Sequence, residues 1–427
     1  MIELGAIILV LIDGILAWGW IFVLTMALWI AWEVYLLLKH IEYVSGMEWS
    51  VLEVSIPEDN DQTPKAMENA IEVWGGIHKD PDIVEKYFMG YFLAWYSCEI
   101  WCRKNEVHYF LVVPTAHVKF FEGVLYGQYP SAEIKEAPDY TRRYDYQDLE
   151  KTYDLWSAEI ELVTDDYYPI RVYREYEEAL AEDIKFMDPH QSLIEAYSNI
   201  NDGEEFWVQV MIKPVGAKAI SEWAKAGQEE ISKISGKPQE EKKPDLFFRM
   251  LQLPITLPGL FLRAAVHGPE GLWPETAKKE RELKFHNPAE DAIMKGILQK
   301  VSRTGFLTKI RVIYLSPAGR LNKPSIGKAV GAFKQFNTFH LNSFKPSKNK
   351  TNGPNYFMKQ TRRFWRKRVA LLNYQSRDFW GDASGQMMTA EEIATVYHLP
   401  TRYVRTPGIA RAKSGMGSPP DNLPYAS

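Results

Sequence analysis

A chain of 427 residues with 46% apolar and 13% aromatic side chains can fill two or three packed domains, which excludes global disorder. Two cysteines, Cys98 and Cys102, exclude a disulfide-stapled scaffold and cannot alone make a four-ligand metal site. The net charge of −5 hides a segregation: residues 292–377 carry 19 Lys and Arg and no acid, whereas residues 1–291 hold 50 acidic against 27 basic side chains.

The first element is an anchor. Gly14 to Trp32 is 19 residues without a charge, about 28 Å as a helix and close to the hydrocarbon thickness of a bilayer. The apolar pattern runs on to Leu38, so Gly14–Leu38 is assigned to the bilayer within an anchor of residues 1–46. Trp18, Trp20, Trp29, Trp32 and Tyr35 include aromatics suited to the membrane interfaces. A cleaved signal peptide fits less well, because Glu3 and Asp13 replace a basic start and the apolar run is long. Lys39 follows the span and no Lys or Arg precedes it. This predicts a single-pass protein with its large C-terminal part cytoplasmic.

Residues 47–140 read as one α+β unit. Trp49–Ile56 alternates like a strand, and Thr63-Pro64 opens a helix that stops at Gly75-Gly76. A short helical stretch (83–91), strands over 96–102 and 107–113, a helix after Thr115 and a strand over 131–136 follow. The order β-α-β-β-α-β is that of a ferredoxin-like split βαβ unit. On the strand over 96–102 the two cysteines lie about 13 Å apart, too far for a disulfide, and read as small buried apolar side chains.

After the tyrosine-rich link 140–153, residues 154–344 predict a second ferredoxin-like unit with a long insertion at about 217–305. Its strands are placed at 158–163, 206–213 and 308–315, and its helices at 189–200, started by Asp188, and 325–336. The insertion contains an apolar run, Leu246–Val266, that either contacts a membrane or partner or lies buried; Pro254 and Pro258 exclude a straight spanning helix. Residues 345–400 predict a basic helical arm, with Thr389-Ala390-Glu391-Glu392 as a capping box near its end. Residues 401–427 read as a Pro/Gly-rich tail.

Linear catalytic motifs are missing. The nearest strings to a P-loop, Ser235-Gly236-Lys237-Pro238 and Ile326-Gly327-Lys328-Ala329, lack the hydroxyl and the upstream glycine. The histidines show no zinc spacing and there is no Gly-x-Ser-x-Gly elbow. The expectation is a non-enzyme without a cofactor or metal.

The acid-free block points to a polyanion or to assembly. Lys345, Lys348, Lys350, Lys359, Arg362, Arg363, Arg366, Lys367 and Arg368 surround aromatics such as Trp365. Cations of this kind neutralise phosphates, and the rings stack on exposed bases. Pairing with the acidic first 291 residues, within the chain or between subunits, is the competing reading, and anionic lipid a third.

Several strings carry a family resemblance: Thr63–Glu68 (TPKAME), Gly127–Ile134 (GQYPSAEI), Tyr168-Pro169-Ile170, Ala332–Asn337 (AFKQFN), Thr389–Pro400 (TAEEIATVYHLP) and Pro419–Pro424. Their order resembles the membrane-proximal, non-motor region of bacterial type IV secretion and conjugation ATPases. The resemblance implies a membrane-tethered, oligomeric scaffold of a secretion or DNA-transfer machine. In such proteins the proline-rich string leads into a P-loop motor, whereas this sequence stops at Ser427, so a separate ATPase subunit is expected. Residues 389–424 would dock it, with Glu391, Glu392, Tyr397 and Pro400 as contacts.

Overall fold

The computed structural model describes residues 2–91, 94–178, 188–236, 287–347, 357–379, 385–402, 404 and 408–412. It is an α+β protein with an apolar N-terminal helix, α1 (Ile2–Ser45), and one large antiparallel sheet.

Two successive chain segments build the sheet. The first contributes β1 (Trp49–Ser55), α2 (Pro64–Trp74), α3 (Ile83–Tyr87), β2 (Tyr96–Arg103), β3 (Glu106–Pro114), α4 (Val118–Gln128) and β4 (Glu133–Glu136). The second contributes β5 (Tyr153–Leu162), α5 (Tyr173–Glu178), α6 (Pro189–Ser198), β6 (Glu205–Pro214), α7 (Ala217–Ile234), α8 (Pro288–Val301), β7 (Gly305–Pro317), α9 (Lys323–Gly331) and β8 (Phe344–Pro346). The strand order is β4-β1-β3-β2-β6-β7-β5-β8. The segments are therefore not separate bodies. They join along β2 and β6, paired from Tyr96↔Ile212 to Arg103↔Glu205. This seam explains why β2 is buried almost throughout: a central strand covered on both faces leaves no side for solvent.

Side chains alternate between two cores, as the period of a strand requires. Ile100, Phe206, Val208 and Tyr314 face one, under α2, α4, α6 and α9. Trp101, Trp207 and Ile313 face the other, under α10 (Lys359–Gln375), which contributes Leu371 and Tyr374. Cys98 and Cys102 are fully buried on the first face, as small apolar side chains.

The C-terminal region departs from the expected arm. β8 pairs with β5, α10 lies on the sheet, and β9 (Gln386–Thr389) adds to β7 before α11 (Ala390–Val396). Residues 408–412, expected in a tail, are strapped to the body: Val107 N donates to Gly408 O at 3.0 Å and Ala410 N to Val107 O at 2.9 Å. Helix-period apolar residues on α10 and α11 need a core, and the sheet supplies it. The insertion shows its two ends, α7 and α8, packed through Trp223, Ile297 and Val301. The apolar run 246–266 lies outside the described residues.

Local signals held at several helix starts. Thr389 and Glu392 form the capping box, and Asp188 caps α6 by accepting from His190 N at 2.8 Å. Thr63 occupies its N-cap position without a side-chain bond.

Candidate functional site

Several cations of the acid-free block form ion pairs inside the chain. Arg377 forks onto Glu99, with Nε–Oε1 and Nη2–Oε2 both 3.1 Å, and also pairs with Asp139. Arg311 Nε lies 2.9 Å from Glu159 Oε1, and Lys300 Nζ 3.0 Å from Glu392 Oε2. Lys367 Nζ lies 2.6 Å from both Glu150 Oε1 and Asp154 Oδ1. Burial alone would raise the Asp139 carboxyl, but hydrogen bonds from Arg377 and Thr141 outweigh it and hold it below its ordinary value. For these four basic side chains the segregation of charge along the sequence is undone in space.

One face of α10 points outward, as do Lys295, Arg320, Lys323 and Lys334 elsewhere in the block. Lys359, Trp365, Val369 and Leu372 are exposed, and Arg362, Arg363, Arg366 and Arg368 are half-buried. The Arg368 guanidinium lies 4.3 Å from the Tyr146 ring centre and 5.0 Å from that of Trp365, which fixes the basic group beside the indole. Lys345 stands apart on β8, its Nζ donating to Val163 O at 3.4 Å. Lys348 and Lys350 lie outside the described residues. Lys367 is withdrawn from the surface: its side chain is 5% exposed.

The residues expected to dock a motor are interior. Glu391 pairs with Arg174 and Arg303, and burial raises its carboxyl. Glu392 is 1% exposed and accepts from Ile170 N at 3.0 Å. Tyr397 donates to Phe110 O at 3.3 Å, and buried Pro400 accepts from Asn60 Nδ2 at 2.9 Å. All four residues are buried in the fold. Four of the strings behind the family resemblance meet in this same region, those at 63–68, 168–170, 332–337 and 389–400. Glu68 of the first bonds Arg174, which reaches Glu391; Ile170 bonds Glu392; Arg171 N donates to Phe336 O at 3.0 Å.

A histidine pair lies beneath them. His398 faces two oxygens, Ala394 O at 2.7 Å and Asp188 Oδ1 at 2.8 Å. Thr401 Oγ1 donates to Asp188 Oδ2 at 2.8 Å. Buried His190, its ring 4.7 Å from that of His398, is pushed down to about 3 by burial and then by His398. Asp188 is held well below the carboxylate range, its burial offset by both histidines and Thr401. The group is sealed, so it ties α6 to the segment after α11; the cleft of about 260 Å³ beside Arg143, Tyr144 and Asp145 does not include it. Among the described residues no cluster of three or more His, Cys, Asp or Glu is arranged to hold a metal.

The remaining feature is α1. Its stretch Val23–Ser45 is long and apolar enough to cross a membrane, with mean hydropathy 1.3 and none of it buried in the protein. This overlaps the expected Gly14–Leu38 over residues 23–38; the side chains before Trp20 and that of Phe22 lie outside those described. At its C-terminal end Val44 packs against Trp95, Met211 and Phe379, at the foot of the β2–β6 seam.

Fold and surface together define an α+β sheet protein with one N-terminal helix of membrane-spanning length. Residues 39–412 match the family described as domain of unknown function (DUF8128), and the chain belongs to that family. No curated protein matches the sequence.

Proposed function

We propose that this protein is a single-pass, membrane-anchored assembly component without enzymatic activity, its sheet domain in the cytoplasm. The observation that carries the reading is α1, whose unburied apolar stretch of 23 residues is fastened through Val44 to the foot of the central seam of the sheet. An apolar surface of that length is costly in water and stable in hydrocarbon. Lys39 at its body-side end supports the cytoplasmic orientation. The partners we propose are those of a type IV secretion or DNA-transfer-like apparatus, with a separate ATPase and self-association into an oligomer. The resemblance stands behind that choice, and the strand order supports the reading of two ferredoxin-like units within the sheet. Each segment places its fourth strand at the edge, then its first, third and second, the arrangement of a ferredoxin-like unit. Membrane fractionation tests the anchor: full-length protein should stay in the pellet through alkaline carbonate, and a chain lacking residues 1–46 should leave it. Full-length protein in the supernatant would refute the reading. Co-purification of a P-loop ATPase with the detergent-solubilised protein tests the assembly role.

A second reading has one specific support, the exposed Trp365 (52%) beside Arg368. In it α10 binds nucleic acid, with Arg362, Arg366 and Arg368 on phosphate and the indole stacked on a base. Neutralising those three should flatten the log–log salt dependence of binding by about two to three units. Flat, weak binding in both proteins would remove this reading.

A further inference from the structure

The turn of helix at α3 carries an apolar surface that the fold leaves open. Ile83, Val84, Phe88 and Met89 are 74%, 52%, 59% and 62% exposed. At about 100° per residue Ile83, Val84, Tyr87 and Phe88 share one arc, with Glu85 and Lys86 on the other; Met89 follows outside this period, in the bend beyond the helix end. The polar side is self-satisfied. Asp82 Oδ1 accepts from Glu85 N at 2.7 Å, Glu85 Oε2 accepts from Asp82 N at 3.2 Å, and Lys79 pairs with Glu85.

This segment is fixed alongside the apolar helix. The Tyr87 ring lies 6.0 Å from that of Trp32, and the Tyr91 ring 5.5 Å from that of Tyr43. Between them Gly90 passes so close to α1 that a Cβ would sit 2.3 Å from Lys39 O, and its φ of +66° suits glycine alone. Residues 87–91 therefore run along α1 from Trp32 toward Tyr43. At 1.5 Å per residue Trp32 lies about 10 Å beyond Lys39 along the helix. With Lys39 among the headgroups, Tyr87 and its neighbours reach the boundary between headgroups and acyl chains, the depth at which amphipathic segments rest.

We infer that the α3 segment is a second membrane contact: Ile83, Val84, Phe88 and Met89 dip into the leaflet that α1 crosses, on the side of the sheet domain. The inference rests on α1 spanning the bilayer. Lipid is the occupant because the patch continues the lipid-facing surface of α1 at the same depth. Two contacts hold the domain at a set angle to the membrane, where one helix alone would let it swivel.

The test uses the full chain in phosphatidylcholine–phosphatidylglycerol vesicles, with a polarity-sensitive fluorophore on Phe88→Cys, Met89→Cys, Leu28→Cys or Phe339→Cys. Cys98 and Cys102 are fully buried and Phe339 is 98% exposed, so labelling is selective and Phe339 serves as the aqueous reference. Nitroxide lipids should quench Leu28 strongly from deep positions. Shallow nitroxides should quench residues 88 and 89 several-fold more than 339. Quenching at 28 with residues 88 and 89 indistinguishable from 339 overturns the inference and leaves the anchor standing. No quenching at 28 overturns the anchor itself. Gly90→Ala, provided its circular dichroism matches wild type, should lose the signal at 88 and keep that at 28; an unchanged signal at 88 refutes the role of the α1 contact.

Discussion

Replacing Arg377 by Met should remove a large share of the stability of this fold. The Arg377 side chain is 4% exposed and spans Glu99 and Asp139, tying the end of α10 to β2. Glu99, itself fully buried, keeps three neutral donors: Ser97 Oγ at 2.9 Å, Tyr140 OH at 3.0 Å and Gln209 Nε2 at 2.8 Å. Those bonds do not cancel its charge, and an uncompensated buried carboxylate costs about 3–5 kcal/mol. Against a usual stability of about 5–15 kcal/mol this is severe. Urea denaturation at neutral pH measures it, with the midpoint falling and the slope m unchanged. Adding Glu99→Gln removes the stranded charge, so the double variant should recover about 1–3 kcal/mol relative to the sum of the singles. A loss below about 1 kcal/mol for Arg377→Met, set against the cost of stranding a buried charge, or strict additivity in the double variant, would refute the reasoning.

Two further outcomes follow from buried groups. The His190 imidazole titrates at about 3 in the fold against 6.5 unperturbed, so the unfolded chain takes the proton first as pH falls. Its contribution is full above pH 6.5 and declines toward pH 3, by up to about 1.4 kcal/mol per pH unit. His190→Gln should make the pH dependence of unfolding shallower by one proton between pH 6.5 and 4.5; an unchanged slope would assign the titration elsewhere. At Gly408 φ is +86° and a Cβ would lie 1.3 Å from Asn105 O. Gly408→Ala should therefore detach the strap of residues 408–412, seen as faster hydrogen exchange at Val107 and Ala410 with the sheet still protected. Wild-type protection at both amides would count against the strap.

Much of the secondary structure was legible because its signals are local. The alternation in β1, the Thr63-Pro64 start of α2 and the Thr389–Glu392 capping box each depend on neighbours a few positions apart. The start of β5 at Tyr153 was missed, since the preceding tyrosine-rich link carries no strand period, and β9 at four residues is too short to show one. The α3 patch was legible only as a short helical stretch. That its apolar arc stays open, and lies against α1, depends on the Trp32–Tyr87 and Tyr43–Tyr91 contacts.

By itself the sequence determined the apolar helix, the α+β class and the segregation of charge, all of which follow from composition and short-range period. Only the tertiary structure decided what the charges do. Arg377 meets Glu99 across 278 positions and Lys367 meets Glu150 across 217, and pairing at such separations is set by how the strands stack, to which local sequence is blind. The same holds for Glu391, Glu392 and Tyr397: an amphipathic helix specifies which face is apolar, and the sheet it lands on decides whether its polar residues meet solvent or a buried partner.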